Sequence, residues 1–136
     1  MFKTGLAMID AEHAFARARR RARLRRSRGG LPVFQRPVAG HGLGGVREIP
    51  VDAIAGTLEP SRALQFDAAF RPRRNSARRR WENIWIAEER GVTLPPISVV
   101  PVGDAYAVRD GHHRVSVARA LGQVDIDAEV TELTAA

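Results

Sequence analysis

The stretch that decides the fold lies in the last third of the chain, where residues 96–122 read P-I-S-V-V-P-V-G-D-A-Y-A-V-R-D-G-H-H-R-V-S-V-A-R-A-L-G. Apolar, largely β-prone residues stand on both sides of Gly103-Asp104, a pair typical of a tight turn. This pattern predicts a hairpin with strands near 96–102 and 105–109.

The hairpin leads into a turn and a helix. Asp110-Gly111 breaks the strand pattern, and the apolar spacing after it predicts a helix near 112–121, with Gly122 as its stop signal. Apolar and polar residues then alternate, which predicts a half-buried strand near 124–132. These elements together predict a small mixed α/β (α+β) domain with a mixed sheet.

The same domain is predicted to begin upstream with a short strand. Residues 47–54, R-E-I-P-V-D-A-I, indicate a strand and turn, and Pro50 confines that strand to a sheet edge or to a strand start. Residues 56–72 are predicted to be irregular. Within them Phe66 and Phe70 stand four apart, the spacing of an anchor pair on a helix.

A second helix is predicted over residues 76–89. Ser76 is the predicted N-cap, and Gly91 is the predicted stop. Trp81 and Trp85 stand four apart on one face, so we interpret them as core residues rather than as stacking platforms for bases.

The turn before the 112–121 helix carries the residues best suited to binding an anion. A helix N-terminus leaves about four backbone N–H groups unpaired and carries roughly half a positive charge. Gly111 lets the backbone approach a ligand, and Arg114 offers a guanidinium fork that fits phosphate oxygens. His112 and His113 add further donors. The predicted phosphate-binding residues are therefore Gly111, His112, His113 and Arg114.

Two other interpretations of the turn remain open. Asp110 can act simply as the N-cap, with Arg114 paired to Asp110 or to Glu129, which would make the turn structural. The adjacent pair His112 and His113 with Asp110 also suggests a metal site. Neighbouring helical residues point in different directions, and no third ligand stands out, so no metal is predicted.

The run from Leu94 to Leu133 resembles the core of the ParB/sulfiredoxin superfamily. The shared pattern is a two-strand hairpin, a G-x-[HR]-R turn, a helix ending A-x-x-x-G and a further strand. In ParB-type domains the turn reads Gly-Glu-Arg-Arg and helps to bind CTP, and in sulfiredoxins it reads Gly-Cys-His-Arg and binds ATP. Free serine kinases of this fold hold nucleotide phosphates with a similar Asp-Gly-His pattern. Gly111, His113 and Arg114 match the shared positions.

The resemblance implies a nucleotide-binding domain, either an NTPase or a small-molecule kinase, that uses CTP, ATP or ADP with Mg²⁺. The sulfiredoxin cysteine falls on His112, which excludes sulfinic acid reduction. Three residues follow Leu133, so the helix-turn-helix of a partition protein is not expected in this chain. If catalysis occurs, the candidate acids are Asp110, Glu48 and Asp52. Glu48 and Asp52 are candidates only because they lie beside the strand that resembles the family's first strand.

Composition places the chain among globular proteins and excludes several classes. The 136 residues contain no cysteine, which rules out disulfides, thiolate catalysis and cysteine-based zinc sites. No stretch approaches the roughly 20 apolar residues of a membrane span, and no secretory signal is evident. We therefore expect a cytoplasmic protein that does not contact a membrane.

All of the net charge of +7 lies in residues 1–30, because the rest of the chain is balanced. Residues 11–28 predict a frayed helix that is basic nearly all round, with apolar side chains too few and too small for a core-facing stripe. This segment motivates an alternative function, a DNA-binding regulator without catalysis. The arginines predicted to contact DNA are Arg17, Arg19, Arg20, Arg21, Arg23, Arg25 and Arg26.

The predicted domain boundary follows from these patterns. Residues 1–46 are predicted to be a basic arm and a Gly/Pro-rich linker, and residues 47–136 the ParB/sulfiredoxin-like domain. A second basic cluster lies between Arg71 and Arg80. It is either a solvated surface or an additional source of positive charge beside the phosphate site.

Overall fold

The computed structural model describes residues 4–24, 30–35 and 45–131 and shows a mixed α+β domain. Its elements, in chain order, are α1 Thr4–Leu24, β1 Gly45–Pro50, a 3₁₀ turn Val51–Ala53, β2 Ile54–Thr57, α2 Pro60–Ala63, α3 Arg78–Glu89, β3 Ile97–Val102, β4 Ala105–Asp110, α4 His112–Ala120 and β5 Asp125–Val130.

Five strands form one mixed sheet in the order β1-β5-β3-β4-β2. The β3–β4 hairpin is antiparallel, while β5 joins β3 in parallel after the α4 crossover. β1 closes one edge antiparallel to β5, and β2 closes the other edge parallel to β4. Pro50 therefore lies on an edge strand, where its missing N–H removes no central ladder bond.

The strands and helices predicted from residue 96 onward are confirmed to within two residues at each end. The strong local signals explain this agreement: alternation in β5, and positive φ angles at Gly103, Gly111 and Gly122 where the chain turns. The strand predicted near Ile49 and the helix predicted over 76–89 are also present.

The α4 helix is buried on two sides, and this holds the layers of the domain together. Val115 and Ala118 face the cluster formed with the sheet, which includes Val99 and Val108. Val117 faces a second cluster shared with α1 and α3. The helix that opens at the Gly111 turn is thus fixed from both sides.

The prediction that residues 11–28 lack a core-facing stripe is wrong over the part of them that the structure describes. Ala11, Ala14, Phe15 and Ala18 of α1 are buried against Trp81 and its neighbours. The Phe15 and Trp81 rings meet edge to face, with centroids 5.5 Å apart. Alanines three or four residues apart lie on one face of α1, and their small side chains let α1 and α3 approach closely. Phe15 supplies the large side chain buried between them.

Residues 31–46 were predicted to be a linker, and part of that prediction is wrong. Leu31 is buried and its N–H donates to the Ala63 carbonyl, while Phe34 N–H donates to the Thr57 carbonyl. Gly45 already belongs to β1, and residues 36–44 lie outside the described residues. The division of the chain at residue 46 stays a prediction.

Two smaller predictions are also wrong. The N-cap position of α3 is Ala77, and Ser76 provides no cap because no side chain bonds to the first turn. Phe66 and Phe70 do contact each other, with centroids 6.2 Å apart, but in a turn rather than on a helix. Phe70 has a φ of 61°, which a helical anchor pair would not permit.

Despite the 21-residue length of α1, none of the helices in the described ranges is both long and apolar enough to cross a membrane.

Candidate functional site

The turn before α4 leaves backbone donors without acceptors among the described residues. Gly111 has a φ of 106°, and a Cβ added to it would lie 2.5 Å from Ile97 Cγ2, so only glycine fits. The first backbone bond of the helix runs from Val115 N–H to the Gly111 carbonyl, at 3.1 Å. Within the described ranges, the N–H groups of residues 112–114 have no acceptor. They are therefore available to an anion.

His112 points into the protein. Its side chain is 4% exposed, and Nε2 lies 2.6 Å from the Thr57 hydroxyl oxygen. The ring stacks on Phe66 with centroids 6.3 Å apart. Burial, reinforced by the positive charge of Arg62, lowers the pKa of His112 to about 4. The imidazole is thus neutral at pH 7 and engaged by Thr57, leaving the backbone N–H as the group it offers to a ligand.

His113 is also buried but faces the cavity described below. Its ring meets Phe66 edge to face at 5.2 Å. Burial lowers its pKa to about 4, together with the charges of Arg80 and Arg62. Neither ring nitrogen hydrogen-bonds to a residue in the described part of the chain, so the imidazole is a neutral group open to a new partner.

Arg114 lies against α3 rather than against the acids considered from sequence. Its Nη2 is 3.7 Å from Glu88 Oε1, and its Nη1 donates to the Pro95 carbonyl. Its Nε is buried without a hydrogen-bond partner among the described residues. Pairing with Asp110 or Glu129 is therefore not observed, and Asp110 does not cap the helix, whose N-cap position is Gly111.

A cavity of about 240 Å³ lies over this helix start and collects cationic groups from three parts of the chain. Arg62 of α2 and Arg80 of α3 line it together with residues 110–114 and Ile84. Sequence reasoning missed Arg62, which no local pattern marks. Arg80 belongs to the second basic cluster, between Arg71 and Arg80, for which one interpretation was that it adds positive charge beside the phosphate site. Arg80 lines the cavity.

The three candidate acids lie in different places. Asp110 lines the cavity over the α4 start, whereas Asp52 lines a second cavity at the other end of that helix. Glu48 is exposed on the edge strand β1, opposite Asp127 of β5. Asp110 is thus the member of this set that the fold brings to the predicted phosphate site.

Three of the other arginines have partners outside this cavity. Arg71 pairs with the buried Asp67 at 3.4 Å, and Arg78 pairs with Glu82 at 2.9 Å. Arg19 donates to Asn75 and to the Arg73 carbonyl, which joins α1 to the start of α3. Among the arginines predicted to contact DNA, Arg17, Arg20, Arg21 and Arg23 are exposed, while Arg25 and Arg26 lie outside the described residues.

Among the described residues, no three of His, Cys, Asp or Glu approach closely enough to hold a metal ion. This finding applies to protein ligands alone and does not concern a cation carried by a nucleotide.

Comparison with known proteins gives structural similarity without a sequence match. No protein-family model matches the chain, and no curated protein matches it. One structural match is a sulfiredoxin. It comes from Arabidopsis thaliana, shares 19% sequence identity, and aligns over 65% of this chain and 85% of its own, with a TM-score of 0.47. At this identity and score, the match carries no information about ligand or activity.

Proposed function

We propose that this protein binds a nucleotide through its phosphate groups at the Gly111 turn. One observation carries the proposal: three guanidinium groups line one cavity over a helix start whose N–H groups have no acceptor among the described residues. Charged donors around a backbone cradle are the usual elements of a phosphate site.

The size of the cavity supports phosphate binding rather than enclosure of a whole nucleotide. Sites that bury drug-sized ligands measure roughly 300–1,000 Å³, and this cavity measures about 240 Å³. The phosphates occupy the cavity, and the sugar and base extend over the surface beyond it. Asp110, the acid of the cavity, supplies a carboxylate for an accompanying Mg²⁺.

Arg62, Arg80 and His113 supply the side-chain donors in this proposal. The Arg80 side chain is exposed and has no hydrogen bond or ion pair with any residue of the described ranges. The Arg62 side chain makes a single hydrogen bond, from Nη1 to Gln65 Oε1 at 3.2 Å. Arg114 is partly engaged by Glu88, so its contribution is its unpaired Nε and its backbone N–H.

The test is titration calorimetry of the full chain with ATP, ADP and CTP, with and without Mg²⁺. Arg80→Gln should raise Kd about tenfold or more, because a hydrogen bond to a charged group contributes about 1.5–3 kcal/mol. Arg79→Gln is the matched control, since Arg79 is exposed on the same helix turn but does not line the cavity. Equal affinity in the two variants, or no binding of any nucleotide at millimolar concentration, would contradict the proposal.

Turnover is a separate step of the same proposal, as an NTPase or small-molecule kinase. Asp110 is the acid positioned to assist a nucleophile or to hold Mg²⁺. Asp110→Asn should then abolish phosphate release from the bound nucleotide while leaving measurable nucleotide affinity. Unchanged phosphate release in this variant would exclude Asp110 from catalysis.

We also retain DNA binding as a second candidate function, because α1 separates its two faces. Four of its alanines and Phe15 are buried, while Arg17, Arg20, Arg21 and Arg23 are exposed. An ordered helix with arginines along its exposed side can contact several phosphates of a nucleic-acid backbone.

A further inference from the structure

A second and larger cavity, of about 570 Å³, lies between α1 and the C-terminal end of α4. It shares no lining residue with the cavity over the Gly111 turn. Arg17 and Arg21 line it from α1, Arg119 from α4 and Arg71 from the turn before α3. This is a different site from the one proposed above, and its size falls within the range of small-molecule sites.

Positive charge exceeds negative charge in this cavity. The side chains of Arg17 and Arg21 have no hydrogen bond or ion pair with any residue of the described ranges. Arg71 is paired with Asp67, and Asp52 is the one acid among the lining residues. At least two guanidinium groups therefore lack a carboxylate partner within the part of the chain that the structure describes.

Arg119 provides a fixed charge inside the cavity wall. Its Nη2 donates to the carbonyls of Val51 and Ile54, at 3.4 and 3.1 Å, and its guanidinium carbon lies 5.5 Å from the centre of the Phe70 ring. Its Nε is buried and has no hydrogen-bond partner among the described residues. Burial lowers the pKa of Arg119. A bound anion would offset the unfavourable desolvation of this group.

Apolar surface accompanies these charges. Phe70, Trp85 and Leu121 line the same cavity, and Phe70 is held in place by the turn in which Asp67 accepts the N–H groups of Ala69 and Arg71. Charged donors beside aromatic and aliphatic walls match a ligand with an anionic end and an apolar body.

We propose that this second cavity binds a small phosphate ester, with its phosphate between Arg17, Arg21 and Arg119 and its apolar part against Trp85 and Leu121. The concave shape and the recessed position of Arg119 favour a small molecule over a duplex. The phosphates of a duplex reach exposed α1 arginines but not a side chain in a cavity wall.

The probe is inorganic pyrophosphate, titrated by calorimetry into the full chain carrying Arg80→Gln, which weakens the Gly111 site. Adding Arg17→Gln and Arg21→Gln should raise Kd tenfold or more. The control adds Arg20→Gln and Arg23→Gln, which remove the same charge from the same helix but do not line the cavity. Here Kd should change less than twofold. Equal losses would show diffuse attraction to α1 and overturn the proposal.

A second measurement locates the ligand without relying on any α1 variant. In ¹H–¹⁵N spectra, pyrophosphate should shift the indole N–H of Trp85, which lines the cavity. It should move that of Trp81 less, because Trp81 is fully buried and does not line the cavity; only Ser116, the acceptor of its Nε1–H at 2.9 Å, does so. An unmoved Trp85 signal at saturation would overturn the proposal. The experiment is independent of nucleotide binding at Gly111, so failure at either site leaves the other testable.

Discussion

Gly111 is the residue on which the candidate site and the fold depend together. Its φ of 106° and its closeness to Ile97 mean that any side chain would both strain the turn and push against β3. A substitution here therefore disturbs folding as well as phosphate approach, so it does not report on binding alone. Arg80 is the better reporter of ligand binding, because its side chain makes no hydrogen bond or ion pair with the rest of the described chain.

We predict that Gly111→Ala lowers the free energy of unfolding by more than Gly122→Ala. Both residues have positive φ, 106° and 72°, so each substitution incurs roughly 1–2 kcal/mol of backbone strain. At Gly111 the contact with Ile97 adds roughly 1–3 kcal/mol of overpacking, whereas nothing lies within 4 Å at Gly122. Urea denaturation measures both. Equal losses would show that the Ile97 contact relaxes without cost.

The adjacent buried histidines make stability depend on pH. Each has a pKa lowered from 6.5 to about 4, so between these values the unfolded chain binds more protons than the folded chain. Stability should therefore fall as pH decreases from 6.5 toward 4, since each unit of difference is worth about 1.4 kcal/mol per group.

His113→Gln should flatten the stability profile between pH 7 and pH 5, measured by urea denaturation at each pH. His13→Gln is the control, because His13 is exposed on α1 and the substitution should leave the slope unchanged. A wild-type profile that is flat over this range would show that the two imidazoles take up protons in the folded protein at the same pH as in the unfolded chain.

At the scale of elements, α1 is part of the folded domain. Its alanine face packs on α3, Phe15 meets Trp81, and Arg19 bonds to the start of α3. The described part of the segment that carries the chain's excess charge is thus held beside the larger cavity rather than acting only as a tail. α1 contributes Arg17 and Arg21 to the larger cavity through this packing.

Phe15→Ala should lower the free energy of unfolding by about 3–5 kcal/mol, the usual loss when a buried aromatic side chain is removed. Leu6→Ala on the same helix is the control. Leu6 is 56% exposed, so the expected change is within about 0.5 kcal/mol. Chemical denaturation followed by circular dichroism compares the two. A Phe15→Ala protein as stable as Leu6→Ala would show that α1 does not dock on α3 in solution.

At the scale of the whole molecule, the charge distribution links the two proposed ligand classes. Both cavities and the exposed face of α1 are basic, while the rest of the chain is nearly neutral. A duplex and a small phosphate would compete only if they used the same arginines. Arg20 and Arg23 are exposed and line neither cavity. Substituting them therefore tests DNA binding without removing an arginine from either cavity.

If the protein binds duplex DNA, Arg20→Gln with Arg23→Gln should weaken binding and make the salt dependence less steep. Each lost phosphate contact changes the slope of log K against log salt by about 0.9. Arg19→Gln is the comparison, since its guanidinium is already bonded to Asn75 and to the Arg73 carbonyl, and its effect on the slope should be smaller. Fluorescence anisotropy at several salt concentrations measures this. Identical slopes in all variants would exclude α1 as the DNA contact.

The local signals in the sequence determined the strands and helices of the last third of the chain, and the turn that opens α4. Alternation in β5, the Gly103 turn and the break at Asp110-Gly111 are each set by a few neighbouring residues, so they can be read without knowing the rest of the fold. The same signals placed Gly111 and Arg114 at a helix start.

Tertiary structure alone decided which side chains meet. Arg62 reaches the Gly111 turn because β2 pairs with β4, and α2 follows β2 directly. The His112 imidazole bonds to Thr57 of β2, whereas the His113 imidazole bonds to no described residue, although both histidines line the cavity. The alanines of α1 became a core face only because α3 offers Trp81 at that position. Such contacts join residues far apart in sequence, and local periodicity contains no information about which distant surface an apolar or charged face will meet.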